Sequence, residues 1–201
     1  MSTSDHKYYI INKPTNMVSQ FVSTHAVGLL GDLDFNFPEG IHAVGRLDSN
    51  SEGLLILTTN KKITRLLFMS ATPHKRTYLV QVNHKMTAKN LLLLQTGVTI
   101  QVKGGVDYLT PACDVVIIDQ PDLIYKNATV INEYGPHTWL LITLTEGKFH
   151  QVRKMMAAVK HRCKRLIRIS IEDLQLGDLA PGCVQEIEEN IFFKQLNILS
   201  S

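Results

Sequence analysis

The chain has 201 residues, a formal net charge of +3, 44% hydrophobic residues and 19% charged residues. This composition is typical of a soluble globular protein. Its apolar runs are shorter than the roughly 20 residues of a membrane-spanning helix, and its first residues lack the apolar core of a signal peptide. We therefore expect a cytoplasmic protein with no membrane partner.

Hydrophobic periodicity predicts more strands than helices. The predicted strands cover residues 8–13, 41–45, 53–58, 76–82, 98–102, 113–119, 138–147, 163–171 and 183–187. The predicted helices cover residues 60–70, 86–97 and 149–161, and residues 189–198 are predicted as helix or coil. Asn60 and Thr87 are the predicted N-caps, and Gly97 is the predicted C-terminal glycine. The pattern indicates an α+β fold with a mixed, largely antiparallel sheet flanked by helices.

The stretch "GRLDSNSEGLLIL" places Arg46 and Asp48 on a polar turn just before an apolar strand. Asp48 alone fits a turn residue whose carboxylate binds nearby N–H groups. It also fits a catalytic carboxylate, because rigid strands often hold functional loops. A carboxylate in a partly dry pocket needs a nearby cation to stay ionised. Arg46 can likewise be an ordinary surface cation.

Two further residues have both a structural and a functional interpretation. Arg153, in "EGKFHQVRKMM", lies in the first turns of a predicted helix beside the apolar Val152. It can be a solvated helix residue or reach into a pocket beside the core. Tyr78, in "RTYLVQV", can pack in the core or stack on a nucleic-acid base.

Charge is distributed unevenly in the last quarter of the chain. Residues 147–171 contain eight lysines or arginines and no acidic residue, and residues 172–189 contain six acidic residues and no basic one. The basic block is either a solvated face or a binding surface for phosphates. His150 has no second His or Cys at ligand spacing, and the three cysteines form no CxxC pair, so we expect no metal site.

Five stretches in this order resemble the motifs of RNA pseudouridine synthases of the RsuA/RluE type, which act on ribosomal RNA. The stretch "GRLDSNSEGLLILTTN" resembles the signature GRLD-x-x-[TS]-x-GLLLLTND. The stretch "YYIINKP" resembles the Lys-Pro motif, and "RTYLVQV" resembles the tyrosine motif. The stretch "EGKFHQVRKMMAAV" resembles the motif EG[KR]-x-[RH]-Q-[IV]-R-[RK]-M, and "RLIRISIEDLQLGDLAPG" resembles the segment that follows this motif. The resemblance implies the pseudouridine synthase catalytic fold, with two joined subdomains and an active-site cleft on the sheet.

The resemblance also implies roles for individual residues. Asp48 matches the essential aspartate, Tyr78 the tyrosine that stacks on the target uracil, and Arg153 the basic residue that pairs with the aspartate. Val152 matches a position lining the pocket, and Arg46 a position that fills the gap left by the flipped base. The family uses no cofactor and no metal. Whether the aspartate attacks C1′, adds to C6 or removes a C2′ proton stays open.

The basic block then predicts contacts with RNA phosphates. Such contacts position a substrate and make its binding salt-dependent. The residues expected to take part are Lys148, His150, Lys154, Arg165 and Arg168.

Because the first motif begins near residue 8, we expect one catalytic domain over residues 1–201 without a separate N-terminal RNA-binding domain. This favours the RluE-like branch and large-subunit 23S rRNA. Three positions depart from the family pattern. His150 stands where Arg is frequent, Lys160-His161 stands in place of a Val-Gly-like turn, and Ser170-Ile171 stands in place of a Gly-containing pair. They leave the exact RNA target open.

The alternative function is a catalytically silent RNA-binding or ribosome-assembly factor with the same fold. The presence of Asp48, Tyr78 and Arg153 together favours the enzyme. An unrelated α+β enzyme would leave the five ordered motifs unexplained. We expect a monomer, because no exposed heptad pattern or long apolar face is evident.

Overall fold

The chain divides into two compact units, which we call unit 1 and unit 2. The computed structural model describes residues 6–68, 72–121 and 135–199. Unit 1 is formed by Met1–His74 with Arg168–Ser201, and unit 2 is formed by Lys75–Ile167. The single catalytic domain expected over residues 1–201 stays a prediction.

Unit 1 is built on an antiparallel sheet. Its strands are β1 (Tyr8–Lys13), β2 (His42–Val44), β3 (Glu52–Thr58), β10 (Leu174–Gln175) and β11 (Val184–Glu186), and its α-helices are α1 (Ile63–Phe68) and α4 (Glu189–Gln195). Strand β1 pairs with both β11 and β3, and β2 pairs with β3, all antiparallel. Strand β9 (Cys163–Ile171) contains the boundary between the two units, and its last residues pair with β10.

Both faces of β1 are covered, which explains why its first four residues, Tyr8 to Ile11, are all apolar or aromatic. Successive side chains of a strand point to opposite faces. Tyr8 packs on Phe192 of α4 at a ring-centroid distance of 4.5 Å, whereas Tyr9 packs edge-on against Phe35 at 5.5 Å. Strand β1 therefore lies between helix α4 on one face and the aromatic segment around Phe35 on the other.

Unit 2 combines a second antiparallel arrangement with two helices. Its elements are β4 (Arg76–Asn83), α2 (Ala88–Thr96), β5 (Thr99–Gln101), β6 (Asp107–Leu109), β7 (Asp114–Ile118), β8 (His137–Leu144) and α3 (Gln151–Ala158). Strand β8 pairs with both β4 and β7, and β5 pairs with β6 in a separate two-stranded sheet. The buried side of α3 joins the core of this unit through Val152, Met155 and Met156.

The caps of α2 show how the sequence fixes its ends. The Thr87 hydroxyl accepts a hydrogen bond from the Asn90 N–H at 3.2 Å, which satisfies an amide that has no partner within the helix. Gly97 ends the helix at φ 107°, and a Cβ there would lie 2.2 Å from the Thr110 carbonyl oxygen. Only glycine fits this position, because both the backbone angle and the close approach exclude a side chain.

The α+β prediction is confirmed, and most predicted elements occur close to their predicted positions. Helix α1 begins at Ile63, where the Asn60 side chain accepts from the Lys62 N–H at 3.1 Å. Residues 69 and 70 of that predicted helix lie outside the described residues. Strands β6 and β10 were not predicted, because three-residue and two-residue strands are too short to show a period.

The α-helices in the described part of the chain are nine residues long or shorter. None of its helices has the length and hydrophobicity that a membrane span needs. Within the same residues, no three or more His, Cys, Asp and Glu side chains are grouped as metal ligands.

Lys13, at the end of β1, is fully buried and has a structural role. Its Nζ donates to the carbonyl oxygens of Pro14 at 2.8 Å and Met17 at 2.7 Å, so it fixes the turn that follows the strand. Burial lowers the pKa of Lys13 to about 8, partly opposed by Glu52 and Asp48. The lysine of the Lys-Pro motif therefore supports the backbone of unit 1.

The lowered pKa of Lys13 predicts a pH-dependent stability. Between pH 8 and about 10.4, its ordinary value, the unfolded chain binds more protons at this side chain than the folded protein does. The free energy of unfolding of the wild type should therefore rise with pH relative to Lys13→Met, by up to about 1.4 kcal/mol per pH unit. Urea unfolding of both proteins from pH 7 to about pH 10.5 measures the difference between their free energies of unfolding. Below pH 8 this difference should not change with pH. A constant difference across the whole range would contradict the prediction.

Candidate active site

The loop between β2 and β3 carries the first two predicted site residues, Arg46 and Asp48. Arg46 is exposed and Asp48 is half-buried. The Asp48 carbonyl oxygen accepts from the Ser51 N–H at 3.0 Å, which closes the turn that leads into β3. Because β3 is buried along most of its length, the loop is attached to a rigid element of unit 1.

Ser19 fixes this loop from a distant part of the sequence. Its Oγ accepts from the Leu47 N–H at 3.0 Å and donates to the Leu47 carbonyl oxygen at 3.1 Å. Leu47 lies between Arg46 and Asp48, and both Ser19 and Leu47 are buried. One hydroxyl therefore satisfies both backbone polar groups at the centre of the candidate site.

The entry to the loop depends on a glycine. Gly45 has φ 73°, a conformation that costs other residues energy. A Cβ at this position would lie 2.8 Å from the Phe68 ring. Backbone angle and the close Phe68 ring therefore both favour glycine at this position of the "GRLD" stretch.

Unit 2 contains the other residues of the predicted catalytic set. Tyr78, on β4, is half-buried and lies opposite Ile142 of β8. Val152 is 5% exposed and belongs to the core cluster against which Tyr78 packs. The structure thus brings Tyr78 and Val152 to the same core. Arg153, the next residue on α3, is half-buried.

A chain of hydrogen bonds positions the start of α3. The Glu146 carboxylate accepts from Gln151 Nε2 and from the Tyr108 hydroxyl, both at 2.6 Å. The Gln151 side-chain oxygen in turn accepts from the Lys148 N–H at 2.8 Å. The hydrogen bond to Glu146 raises the pKa of Tyr108. This chain of bonds, which we call the Glu146 clasp, holds residues 146–151 and so fixes the start of the helix on which Val152 and Arg153 lie.

Four of the five residues predicted to contact RNA phosphates belong to unit 2, and the fifth, Arg168, belongs to unit 1. Lys148 is exposed, whereas His150, Lys154 and Arg165 are half-buried. Arg168 is only 3% exposed. Its Nε donates to the Leu54 carbonyl oxygen of β3 at 2.8 Å. The guanidinium is buried and supports β3, and the expected contact of Arg168 with an RNA phosphate stays a prediction.

The unusual pair Lys160-His161 still forms the turn expected after α3. Lys160 has φ 63°, the conformation that a glycine-like turn needs. His161 is buried, and its Nδ1 lies 2.8 Å from the Asn83 carbonyl oxygen. Lys160-His161 therefore forms a turn, and His161 contacts the end of β4.

Sequence reasoning missed Ser19, Glu146 and Gln151 as parts of the site. Glu146 and Gln151 lie in the stretch "EGKFHQVRKMMAAV", and both occupy defined positions of the motif that this stretch resembles. Those positions could have indicated a role for the two residues. Ser19 had no such signal, because its partner Leu47 is 28 residues away in the sequence. Ser19 fixes the backbone between Arg46 and Asp48, whereas Glu146 and Gln151 fix the turn before the helix that carries Arg153.

Comparisons with known proteins agree on one family. The family model "RNA pseudouridylate synthase" matches residues 7–158. Ribosomal large subunit pseudouridine synthase E of Vibrio parahaemolyticus is 36% identical over 185 residues, covering 92% of this chain and 75% of that protein. The protein of the same name from Vibrio vulnificus is 37% identical over 188 residues, covering 93% of this chain and 77% of its own length.

A solved structure shows the same fold. A crystal structure of a pseudouridylate synthase superposes with a TM-score of 0.77 at 22% identity, covering 98% of this chain and 76% of that one. The family model spans the loop with Asp48, strand β4 with Tyr78 and helix α3 with Arg153. The chain belongs to the RNA pseudouridylate synthase family, as its ordered motifs predicted.

Proposed function

We propose that this protein converts a specific uridine of large-subunit ribosomal RNA into pseudouridine. Three relatives that are 35–37% identical and cover 86–93% of the chain are named as large-subunit pseudouridine synthases, which supports both the reaction and the RNA class. The observation that carries the proposal is the loop with Asp48: it lies within the matched family region, and Ser19 fixes its backbone. Catalysis requires reacting groups that are held in place before the substrate binds.

The reaction defines what the enzyme must do. Uridine and pseudouridine are isomers: the C1′–N1 bond breaks, the uracil turns, and a C5–C1′ bond forms. The proton on C5 leaves and N1 gains one, so no group is consumed. The base must first leave its stack, which costs a few kcal/mol. Stacking on an aromatic side chain returns about 1–3 kcal/mol of that cost.

Each predicted residue supplies one part of this task in the proposal. The Asp48 carboxylate is the reacting group, Tyr78 stacks on the uracil, and Arg153 is the cation that keeps the carboxylate ionised. Arg46 is exposed, as a residue that replaces the flipped base in the RNA stack needs to be. Val152 lines the pocket beside Tyr78.

The surface lysines fit an RNA partner. Lys148 is exposed beside the start of α3, and no acidic residue follows Glu146 until Glu172. Contacts of this kind with phosphates position the RNA without reading its sequence. The residues proposed to make them are Lys148, His150, Lys154 and Arg165.

The function is tested with ribosomal RNA transcripts that carry uridine tritiated at C5. Pseudouridine formation releases that tritium into water. We expect release from the large-subunit transcript and none from the small-subunit transcript. Release from the small-subunit RNA alone would overturn the choice of substrate. No release from either RNA, with tight RNA binding, would instead support the silent binding factor.

A further inference from the structure

We propose that Phe149 is a stacking platform for an unpaired base of the RNA substrate, other than the target uridine. Phe149 is 69% exposed, and it is the sole aromatic residue among the large hydrophobic side chains that are exposed in the described ranges. It was not among the predicted site residues. This inference rests on the proposed function, because it names a further contact with the same RNA.

The ring of Phe149 is already arranged in a stack. It lies 3.8 Å from the His150 ring, between centroids, at an interplanar angle of 19°. The Lys154 Nζ lies 5.4 Å from the Phe149 ring centroid. An aromatic ring that is largely exposed, parallel to a second ring and close to a cation is the arrangement on which nucleic-acid bases stack.

The turn that carries Phe149 is held rigidly, which favours binding because little order is lost when the base arrives. The Gln151 N–H donates to the Lys148 carbonyl oxygen at 3.0 Å, and the Glu146 clasp ties both residues to Tyr108. His150 adopts φ 56° and ψ 29°, the left-handed conformation, directly before α3. The exposed ring thus projects from a fixed backbone.

The surrounding charge favours a nucleic acid over an apolar protein partner. Lys148 and Lys154 flank Phe149 on either side in the sequence, and Lys148 Nζ lies 4.8 Å from the Tyr108 ring centroid. The nearest acidic residue in the sequence, Glu146, has both carboxylate oxygens in hydrogen bonds. Cations beside an exposed ring match the phosphates beside an unpaired base.

The test measures binding of a fluorescein-labelled oligouridylate of about 12 nucleotides by anisotropy. This probe is unpaired, and stacking tolerates any base. Phe149→Ala should raise Kd about 5- to 100-fold, whereas Phe149→Tyr should stay within about 2-fold. Phe149→Ala should leave the salt dependence of Kd unchanged, because no charge is lost. Lys154→Gln should instead reduce the slope of log Kd against log salt by about 0.7.

Leu109→Ala is the matched control, because Leu109 is 66% exposed in the same unit and is apolar but not aromatic. Its Kd should equal that of the wild type. The proposal is overturned if Phe149→Ala binds within 2-fold of the wild type, or if Leu109→Ala loses as much. Tritium release by the wild type is measured in parallel. If the wild type releases tritium and Phe149→Ala binds the oligouridylate as the wild type does, the platform is wrong and the proposed reaction stands. If the wild type releases no tritium and Phe149→Ala binds more weakly, the proposed reaction is wrong and the platform stands.

Discussion

Asp48→Asn is expected to abolish tritium release, with a loss of about 10⁴-fold or more in kcat. Asparagine keeps the shape of aspartate but cannot act as a carboxylate, whichever atom of the nucleotide the group meets first. The turn should survive, because the hydrogen bond from Ser51 is made to the backbone oxygen of residue 48. RNA binding by the variant should stay within a few-fold of the wild type, which separates catalysis from affinity.

The control for this variant is Asp34→Asn, which removes an exposed carboxylate in the same unit outside the motif. It should release tritium at the wild-type rate. Retention of more than a tenth of the activity in Asp48→Asn would show that another group reacts. Loss of RNA binding by Asp48→Asn would show that the carboxylate organises the RNA site rather than the reaction.

Much of the fold was predictable because its signals are local. Each of these signals depends on neighbours within a few residues. They are the apolar runs of β1 and β3, the apolar side of α3 with Val152, Met155 and Met156, and the caps at Thr87 and Gly97. Periodicity and capping preferences follow from the geometry of one strand or one helix. Such features can be read before any tertiary structure is known.

The contacts that fix the site were not predictable, because they join residues distant in sequence. Nothing near Ser19 indicates that its hydroxyl binds Leu47, and composition alone does not show that the Glu146 clasp includes Tyr108. Arg168 shows that a charge pattern does not determine burial. It belongs to a basic run, which predicted exposure, but its place on β9 buries it against Leu54. Charge along the sequence therefore identified the basic region without showing which members are buried.

Ser19→Ala is expected to lower kcat about 10- to 100-fold, the range that a misplacement of about 1 Å can cause. The substitution leaves the N–H and the carbonyl of Leu47 without the hydroxyl that joins them, in a buried position where water cannot easily replace it. The residues on either side, Arg46 and Asp48, then lose a fixed backbone. We also expect a loss of about 1–3 kcal/mol in the free energy of unfolding.

A second hydroxyl separates lost positioning from lost stability. In unit 2, Thr138 Oγ1 accepts from the Met86 N–H and donates to the His84 carbonyl oxygen, each at 2.9 Å. Thr138→Val removes the same pair of hydrogen bonds at a similarly buried position. Urea unfolding should show a similar decrease in the free energy of unfolding for both variants. Only Ser19→Ala should show a decrease in kcat.

The conservative variant Ser19→Thr keeps the hydroxyl and should recover most of the rate. RNA affinity of Ser19→Ala should fall by a smaller factor than kcat does, because Arg46 beside Leu47 is one proposed RNA contact among several, and Lys148 and Lys154 belong to unit 2. An equal loss of kcat in Thr138→Val would mean that general stability limits the rate. A wild-type kcat in Ser19→Ala would mean that Asp48 is held without the hydroxyl, and that Ser19 serves only the fold of unit 1.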